Sequence, residues 1–358
     1  MTCYRGTVKE LIREQTTGAP SSIKLETPRI AIVGLGKMGL LHAGIHSALK
    51  GNPVSVASET DGFLSKMARK ILPDARIYQD YKEMIENEHD IQGIIVTTPI
   101  HTHTPIVSEI LRSKRDLGIF VEKPLSTNHD DAKKIYEAAK GSGVTNMVGF
   151  QKRFAATFRR AKDAVAKDEI GTPQFFKSYS FMADIFRKGQ GWRFQPESGG
   201  VTLEVGPHIL DLIIWLFGEP MMVSGFRKKL YSDDVEDYVH AAMQFGSGLS
   251  GYTDISWSVR NYRLPEIFLE VHGTNGVLTV CDDYVKLQLD EDRGETLAGT
   301  HMLRKPELQP SVPFLLGDPE FCVEDQAFLQ ALQKKGSVEP DFGDAAKVNS
   351  LMDKIRSL

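Results

Sequence analysis

The chain has 358 residues and a formal net charge of −4, with 41% hydrophobic and 25% charged residues. These proportions are ordinary for a soluble globular protein and argue against a disordered chain, a collagen-like chain or a disulfide scaffold. The small net charge gives no reason to expect nucleic acid or an anionic membrane surface as a partner. At roughly 150 residues per domain, the length predicts two domains.

The three cysteines, Cys3, Cys281 and Cys322, are far apart in the sequence. An odd, sparse set of cysteines is typical of a reducing compartment and provides no zinc-binding framework, so we expect no metal. The most apolar stretch, residues 209–217, contains Asp211 and is too short to span a membrane. The N-terminal residues lack the apolar core of a secretory signal. The sequence therefore predicts a cytoplasmic protein.

Residues 1–28 are predicted to form an extension, and from Arg29 onwards short apolar runs alternate with helical stretches. The predicted strands are Ile30–Val33, Val54–Ala57, Ile91–Val96, Ile119–Val121 and Asn146–Val148. The predicted helices are Leu40–Lys50, Phe63–Lys70, Glu83–Asn87, Pro105–Arg112 and Asn128–Lys140. Strands and helices that alternate in this rhythm indicate a doubly wound parallel sheet, so residues 29–150 are predicted to form a Rossmann-type domain.

Residues 151–358 are predicted to form a second domain of the α+β class, because the strands become longer and more closely spaced. The predicted strands here are Gln174–Ser180, Val239–Phe245, Leu249–Ser256, Ile267–Val271 and Val277–Val280. The predicted helices are Phe154–Lys167, Val201–Phe217, Val323–Lys335 and Asp344–Ser357. Glycine-containing turns between the strands favour a largely antiparallel sheet with one face left for a partner. The last helices, within residues 320–358, are expected to dock back on the body of the protein.

The sequence Gly34-Leu35-Gly36-Lys37-Met38-Gly39 matches the G-x-G-x-x-G fingerprint of dinucleotide-binding proteins. In that fingerprint the first glycine makes the turn, the second lets a pyrophosphate approach the backbone, and the third lets helix and strand pack closely. The match follows a buried strand and opens a helix, which is the context that the fingerprint requires. These six residues are therefore predicted to bind NAD or NADP.

The carboxylate that reads the cofactor's ribose is expected about 20 residues after the glycines, at the end of the second strand. That position falls on Ser58 and Glu59. Glu59 could accept hydrogen bonds from ribose hydroxyls, whereas Ser58 would not repel a 2′-phosphate. Because Glu59 and Asp61 would repel that phosphate, the sequence favours NAD over NADP.

Two further motifs follow predicted strands of the first domain. Thr97-Thr98-Pro99 ends one strand and Glu122-Lys123-Pro124 ends the next. Ligands of a doubly wound sheet bind at the carboxyl ends of its strands. A lysine that follows the apolar run 119–121 could lie near the cofactor with a shifted pKa.

Together these motifs resemble the Gfo/Idh/MocA family, named after glucose–fructose oxidoreductase, inositol dehydrogenase and a rhizopine-catabolism oxidoreductase. The resemblance covers nearly everything from Arg29 to the end of the chain. It rests on the glycine fingerprint with His42, Thr98-Pro99 with His103, Glu122-Lys123-Pro124-Leu125, Gly149-Phe150-Gln151-Lys152-Arg153-Phe154, Trp192-Arg193, Gly199-Gly200, Gly206-Pro207-His208 with Asp211, and Val271-His272-Gly273-Thr274-Asn275-Gly276.

The resemblance implies an N-terminal Rossmann domain and a C-terminal domain with a large open sheet that commonly forms homodimers or homotetramers. It implies hydride transfer between nicotinamide and a hydroxyl of a sugar, polyol or nucleotide sugar. By position, Lys123, Glu204 and His208 would be the catalytic group. The expected cofactor contacts also include His103, Glu122, Gln151, Arg153, Trp192 and Arg193. The expected substrate contacts are Lys123, Arg153, Glu204, His208 and Asp211.

The chemistry of these residues agrees with that role. His208 follows Pro207, which favours a first helical turn, and the positive end of a helix favours the neutral imidazole that a base needs. Lys123 could stabilise a developing alkoxide, and Glu204 could orient His208 or a substrate hydroxyl. Metal binding by His101 and His103 with Glu204 and His208 is not expected, because these residues lack the spacing of a zinc site.

Glu204 departs from the family pattern, which usually has aspartate four residues before the histidine. The longer side chain moves the carboxylate by about one methylene, and positioning matters greatly in catalysis. Two alternatives to a dehydrogenase therefore stay open. One is a redox-neutral enzyme that recycles a retained cofactor during glycoside cleavage or isomerisation. The other is a catalytically silent cofactor-binding regulatory protein on the same scaffold.

Overall fold

The structure, a computed structural model, describes residues 27–49, 53–57, 63–73, 75–113, 115–262, 264–294, 296–309, 312 and 316–358. The predicted extension lies outside the described residues up to residue 26, and Ser58 and Glu59 also lie outside them. No helix among the described residues is long and apolar enough to cross a membrane.

The first part of the chain forms a parallel sheet of six strands in the order β3-β2-β1-β4-β5-β6. Its strands are β1 (Ile30–Val33), β2 (Pro53–Ala57), β3 (Arg76–Tyr78), β4 (Gly93–Val96), β5 (Gly118–Glu122) and β6 (Asn146–Gly149). Strands β1, β4 and β5 are buried along their whole length, as their continuous apolar sequences predict. The predicted doubly wound sheet is confirmed, with β3 as an additional edge strand that the sequence analysis missed.

Helices connect these strands. They are α1 (Lys37–Ala48), α2 (Phe63–Ile71), α3 (Tyr81–Asn87), α4 (His103–Arg112) and α5 (His129–Ser142). Helix α5 shows why such boundaries can be predicted: the Asn128 side chain accepts a hydrogen bond from the Asp131 N–H, and the helix ends at Gly143 with a φ of +67°. A polar N-cap and a left-handed glycine satisfy the main-chain groups that a helix leaves unpaired at its two ends.

The second sheet has eight strands in the order β14-β13-β12-β11-β7-β10-β9-β8. They are β7 (Pro173–Phe181), β8 (Met222–Lys228), β9 (Tyr238–Gln244), β10 (Ser250–Ser256), β11 (Glu266–Gly273), β12 (Gly276–Cys281), β13 (Tyr284–Leu289) and β14 (Gly299–Arg304). Only the β7–β10 pair is parallel. The predicted, mostly antiparallel sheet is confirmed and gains β8, β13 and β14.

The helices of this part are α6 (Ala156–Ala166), α7 (Val201–Glu204), α8 (Gly206–Phe217), α9 (Lys305–Leu308), α10 (Pro319–Lys334) and α11 (Phe342–Arg356). The single helix predicted over 201–217 is two helices, because the chain breaks at Val205 and restarts with Pro207 in the first turn of α8. This break places His208 in the first turn of a new helix.

The last two helices pack against the first part of the chain. On α10, Phe328 is fully buried and its ring lies 5.7 Å from that of Phe120 on β5. On α11, Asn349 donates to the main-chain oxygen of Ser126 at 2.7 Å, and Asp353 accepts the His129 N–H at 2.7 Å. The end of the chain therefore helps to fix the loop between β5 and α5.

Candidate active site

A cleft of about 940 Å³ lies at the carboxyl ends of β1, β4 and β5. The glycine-rich turn after β1 lines it, and Trp192, Leu203 and Glu204 line it from the second half of the chain. Most of the predicted cofactor residues line it: Gly34, Leu35, Gly36, Lys37, Met38, Thr97, Thr98, Pro99, His103, Glu122, Lys123 and Trp192. Parallel strands that end at one edge of a sheet bring these separate motifs together, as the sequence analysis predicts.

The three glycines of the turn meet different spatial demands. Gly34 has a φ of +104°, and a Cβ there would lie 2.8 Å from a Thr98 carbon. A Cβ on Gly39 would lie 1.9 Å from the main-chain oxygen of Gly34. A Cβ on Gly36, by contrast, would have none of the described atoms within 4 Å. Gly34 and Gly39 therefore allow close packing within the turn and against Thr98, whereas the space beside Gly36 is open.

The turn fits a dinucleotide. Gly36 is the N-cap of α1, and no described side chain caps this helix end. The first main-chain N–H groups of a helix attract phosphate, because they are unpaired and lie at the positive end of the helix dipole. Open space at Gly36 and an uncapped helix end are what the pyrophosphate of a dinucleotide requires.

We expect Gly36→Ala and Gly39→Ala to separate binding from folding. Gly36→Ala should change the free energy of unfolding by less than about 0.5 kcal/mol, since its φ of −84° suits alanine, but raise the NADH dissociation constant on the order of tenfold by obstructing a phosphate contact. Gly39→Ala should also destabilise the protein by about 1–3 kcal/mol through steric overlap. Denaturation and NADH fluorescence titration measure the two effects. Equal effects of the two variants would contradict the assignment.

His103 lines the cleft, but its ring nitrogens contact main-chain oxygen atoms. It is buried, and its ring nitrogens lie 2.9 Å from the Pro124 oxygen and 2.8 Å from the Thr98 oxygen. Burial lowers the pKa of the imidazole. His103 thus joins the turn after β4 to the turn after β5. Both ring nitrogens face main-chain carbonyls, while the residue lines the cleft, so its contact with the cofactor stays a prediction.

Lys123 is half-buried at the end of β5. Its Nζ donates a hydrogen bond to the main-chain oxygen of Glu204, 2.9 Å away. Removal of the amine from water lowers the pKa of Lys123, and the charge of Arg193 acts in the same direction, against Glu122 and Glu204. The side chain therefore crosses from the nucleotide-binding half to the start of the helical segment in the other half.

His208 is held in its neutral form. Burial places its pKa well below the usual range, and the charges of Lys123 and Lys152 lower it further. Among the described residues, its buried Nδ1 atom has no hydrogen-bond partner. A neutral imidazole with an unpartnered ring nitrogen is the form that a base needs, but His208 is not among the residues that line the described cleft.

Glu204 lines the cleft, but its carboxylate belongs to an ion pair. It accepts a hydrogen bond from Arg193 Nε, and Arg193 also pairs with Asp184 through Nη2. Among the described contacts of Glu204 there is no hydrogen bond to His208. The carboxylate of Glu204 thus contacts Arg193 rather than His208 in this structure. The alternative that Glu204 orients a substrate hydroxyl stays a prediction.

Arg153 and Asp211 lie away from the described cleft lining. Arg153 donates to Asp211 through Nε at 2.9 Å and Nη2 at 2.6 Å, and to Asp344 through Nη1 at 3.0 Å. Arg153 is 6% exposed and Asp211 1% exposed. In this structure they join the start of the second half to α8 and α11. Their predicted contacts with cofactor and substrate stay predictions. Gln151 is also outside the described lining.

One side of the cleft is formed by residues that the sequence pattern does not reveal. Gln79, Asp80, Tyr81 and Lys82 line it after β3. The signal was available in principle, since any strand of a parallel sheet delivers its next residues to this edge. Strand β3 has only three residues and no buried one, so its apolar pattern is too weak to detect.

Comparisons with known proteins agree with this geometry. Residues 28–150 match the family described as an oxidoreductase family with an NAD-binding Rossmann fold, and residues 158–279 match the GFO/IDH/MocA C-terminal domain. A scyllo-inositol 2-dehydrogenase (NAD(+)) of Bacillus subtilis is 31% identical over 70% of this chain and 73% of its own length. A levoglucosan dehydrogenase of Pseudarthrobacter phenanthrenivorans is 23% identical over 92% of this chain and 96% of its own.

Solved structures support the fold. A levoglucosan dehydrogenase in complex with NADH and levoglucosan superposes with a TM-score of 0.80, at 22% sequence identity, over 92% of this chain and 96% of that one. An NAD complex of GenD2 from gentamicin A biosynthesis gives a TM-score of 0.76 at 22% identity, over 94% of this chain and 95% of that one. Both halves of the chain are therefore matched together in single proteins.

Proposed function

Because this chain belongs to the Gfo/Idh/MocA family of oxidoreductases, we propose that it oxidises a secondary hydroxyl of a cyclic polyol or sugar with NAD⁺. The observation that carries the proposal is that Lys123 lines the cleft beside the dinucleotide-binding turn and lies close enough to His208 for its charge to lower the pKa of that histidine. Relatives that act on inositol and levoglucosan support the substrate class.

The residues divide the work as follows. When bound, the nicotinamide would supply the hydride acceptor, and the protein supplies orientation and proton transfer. The turn 34–39 would hold the pyrophosphate. Lys123 places its ammonium group at the substrate oxygen, where it stabilises negative charge that develops as the hydroxyl is oxidised. His208, which is neutral, accepts the hydroxyl proton. The Arg193–Glu204 pair fixes the far wall of the cleft beside Trp192.

We infer NAD rather than NADP as the cofactor from Glu59 and Asp61, whose charges would repel a 2′-phosphate. These residues lie outside the described part of the chain, so this preference rests on the sequence. A cytoplasmic location is part of the same proposal, since the sparse cysteines fit a reducing compartment. Cys281 and Cys322 are free and buried.

The open face of the eight-stranded sheet is proposed to pair with a second copy of this chain. Aromatic rings stack along that face: Phe175 on His272 at 4.1 Å, Tyr179 on Phe181 at 4.6 Å and Tyr179 on Phe268 at 5.0 Å. Met222, Phe226 and Tyr252 add exposed apolar surface. An exposed aromatic surface, interrupted here by the Lys177–Glu270 ion pair, is typical of a protein–protein interface. This arrangement favours a homodimer or homotetramer.

The proposed function is tested by incubating the purified protein with NAD⁺ and each of scyllo-inositol, myo-inositol, levoglucosan and D-apiose. We expect at least one of them to yield reduced nicotinamide in proportion to substrate consumed. A transient signal without net NADH would indicate the redox-neutral alternative. NADH binding without turnover on a broad polyol and sugar panel would contradict the proposal and favour a regulatory protein.

A further inference from the structure

The end of the chain is connected to the active-site lysine through buried side chains. We propose that Asp325 on α10 is a positioning residue for the Glu122-Lys123-Pro124 turn, and that it acts through His42 on α1. The inference rests on the proposed function, which places Lys123 at the substrate oxygen. What it adds is that full activity also depends on Asp325, a residue that does not contact the substrate.

The connection is a continuous series of hydrogen bonds. His42 Nδ1 lies 2.9 Å and 3.1 Å from the two carboxylate oxygens of Asp325, and His42 Nε2 lies 3.1 Å from Glu122 Oε1. The other Glu122 oxygen, Oε2, accepts the main-chain N–H of Lys123 at 3.1 Å. Asp325 is 283 residues from His42 in sequence, yet both are fully buried. The series thus links α10 to the main chain of Lys123.

The ring of His42 is fixed by packing as well as by polar contacts. It meets the ring of Phe120 edge-on at 5.2 Å and that of Phe321 at 6.4 Å. A buried ring with aromatic neighbours and a carboxylate on each nitrogen has little freedom to turn. Because the ring cannot reorient freely, a displacement of Asp325 would also displace Glu122.

The surrounding charges favour the protonated ring. Burial opposes the charge on His42, but Asp325 and then Glu122 raise its pKa well above the usual range. Glu324 of α10 also faces this cluster, and burial together with the neighbouring carboxylates raises its pKa well above the usual range, which favours its protonated form. His46, one turn along α1, has its pKa lowered by burial and is neutral. His42 can then donate from both nitrogens, one bond to each carboxylate.

Removal of the Asp325 charge should weaken this arrangement in a pH-dependent way. In Asp325→Asn the pKa of His42 falls, because its strongest stabilising charge is lost. As the pH rises, the ring loses its proton and one of its two donated bonds. Glu122 then loses the hydrogen bond from His42, so the main chain at Lys123 is held less firmly. Small displacements of catalytic groups can lower the rate by up to about 100-fold.

The experiment compares Asp325→Asn with Asp353→Asn over about pH 6 to about pH 9. Asp353 also ties a C-terminal helix to the nucleotide-binding half, through the His129 N–H, but it has no contact with His42 among the described hydrogen bonds. For Asp325→Asn we expect kcat to fall about 10-fold to 100-fold, with the greatest loss at high pH. The NADH dissociation constant should stay within about threefold of the parent value. Asp353→Asn should change kcat by the same small factor at every pH.

A second measurement needs no substrate. NMR of histidine-labelled protein reports the His42 titration, which should move to lower pH in Asp325→Asn and stay unchanged in Asp353→Asn. If His42 titrates alike in all three proteins, or if both variants lose activity equally at every pH, the positioning role is wrong. A stoichiometric metal ion held by His42, His46 and Asp325, whose donor atoms lie within 4.8 Å of one another, would also overturn it.

The two measurements separate this inference from the proposed function. If the parent protein turns over no polyol or sugar, the proposed function fails, and the NMR titration still decides whether Asp325 controls His42. If the parent is active and the kcat ratio of Asp325→Asn to parent is constant across pH, the inference fails and the function stands.

Discussion

Replacement of Lys123 by methionine is expected to lower kcat about 10³-fold, while the NADH dissociation constant stays within about threefold of the parent. Methionine keeps most of the buried stem but removes the ammonium group that we place at the substrate oxygen. Binding energy from the cofactor does not depend on that group, so the effect should appear in turnover. Steady-state kinetics with the substrate found in the polyol and sugar panel, together with NADH fluorescence titration, measure the two quantities.

Lys162 offers a matched control for this variant. Its Nζ also donates to a main-chain oxygen, that of Trp215, and burial also lowers its pKa. It is half-buried like Lys123 but lies outside the described lining of the cleft. Lys162→Met should therefore keep kcat within about twofold. A comparable loss in both variants would show that the Lys123 effect is structural.

The lowered pKa of Lys123 has a consequence for the pH profile. The charged amine is the active form, and it is lost as the pH rises through the lowered pKa. In the parent, kcat should therefore decline on the alkaline side at a lower pH than an ordinary lysine would give. This decline should be absent from the residual activity of Lys123→Met. An identical alkaline limb in both proteins would assign the titration to another group.

The parts of the cleft that could be predicted from sequence are those formed by short, continuous segments of the chain. The turn 34–39, the segment 97–99 and the turn at Lys123 each follow a recognisable apolar strand, and a parallel sheet brings strand ends to one edge. That these three segments meet at one edge of the sheet can therefore be predicted without knowing which distant residues contact one another. The same reasoning placed His208 in the first turn of a helix, because proline favours that position.

Partner choice was not predictable in the same way. Arg153 pairs with Asp211, 58 residues away, and with Asp344, 191 residues away. Arg193 pairs with Glu204 and so draws that carboxylate away from the role expected for it. A charged side chain near a motif can serve the ligand or the protein, and only the packing of α8, α11 and the segment 182–199 decides between them.

The position of α10 was equally hidden. A helix near the end of the chain is visible in the sequence, and docking on the body is a reasonable expectation. That Asp325 would face His42 depends on the rotation of two helices about their axes, which apolar periodicity defines only coarsely. Glu324 precedes it directly and is equally buried, so the sequence could not say which carboxylate meets the ring.

Loss of Asp211 is expected to be one of the most destabilising single changes in the chain. In Asp211→Ala, Arg153 keeps only Asp344 as a carboxylate partner and stays almost fully buried, 6% exposed. Removing one member of a buried ion pair typically costs about 3–5 kcal/mol, since the remaining charge has lost its water without full compensation. Burial raises the pKa of Asp211 to about 6, so the carboxylate is ionised at neutral pH despite its surroundings.

Two comparisons make the result specific. The double variant Arg153→Met/Asp211→Leu should recover most of the lost free energy of unfolding, because it removes both fully buried charges. Asp344 loses its bond to Arg153 but is partly exposed and keeps Lys347 as a partner at 3.3 Å. Lys134→Met, which breaks an exposed pair with Asp131, should cost no more than about 1 kcal/mol. Denaturant unfolding of the three variants gives the free energies, and kinetics on the folded protein give KM and the NADH dissociation constant. If Asp211→Ala raised KM strongly without loss of stability, Asp211 would be a substrate contact after all, and the buried pair would be an incidental feature of the free protein.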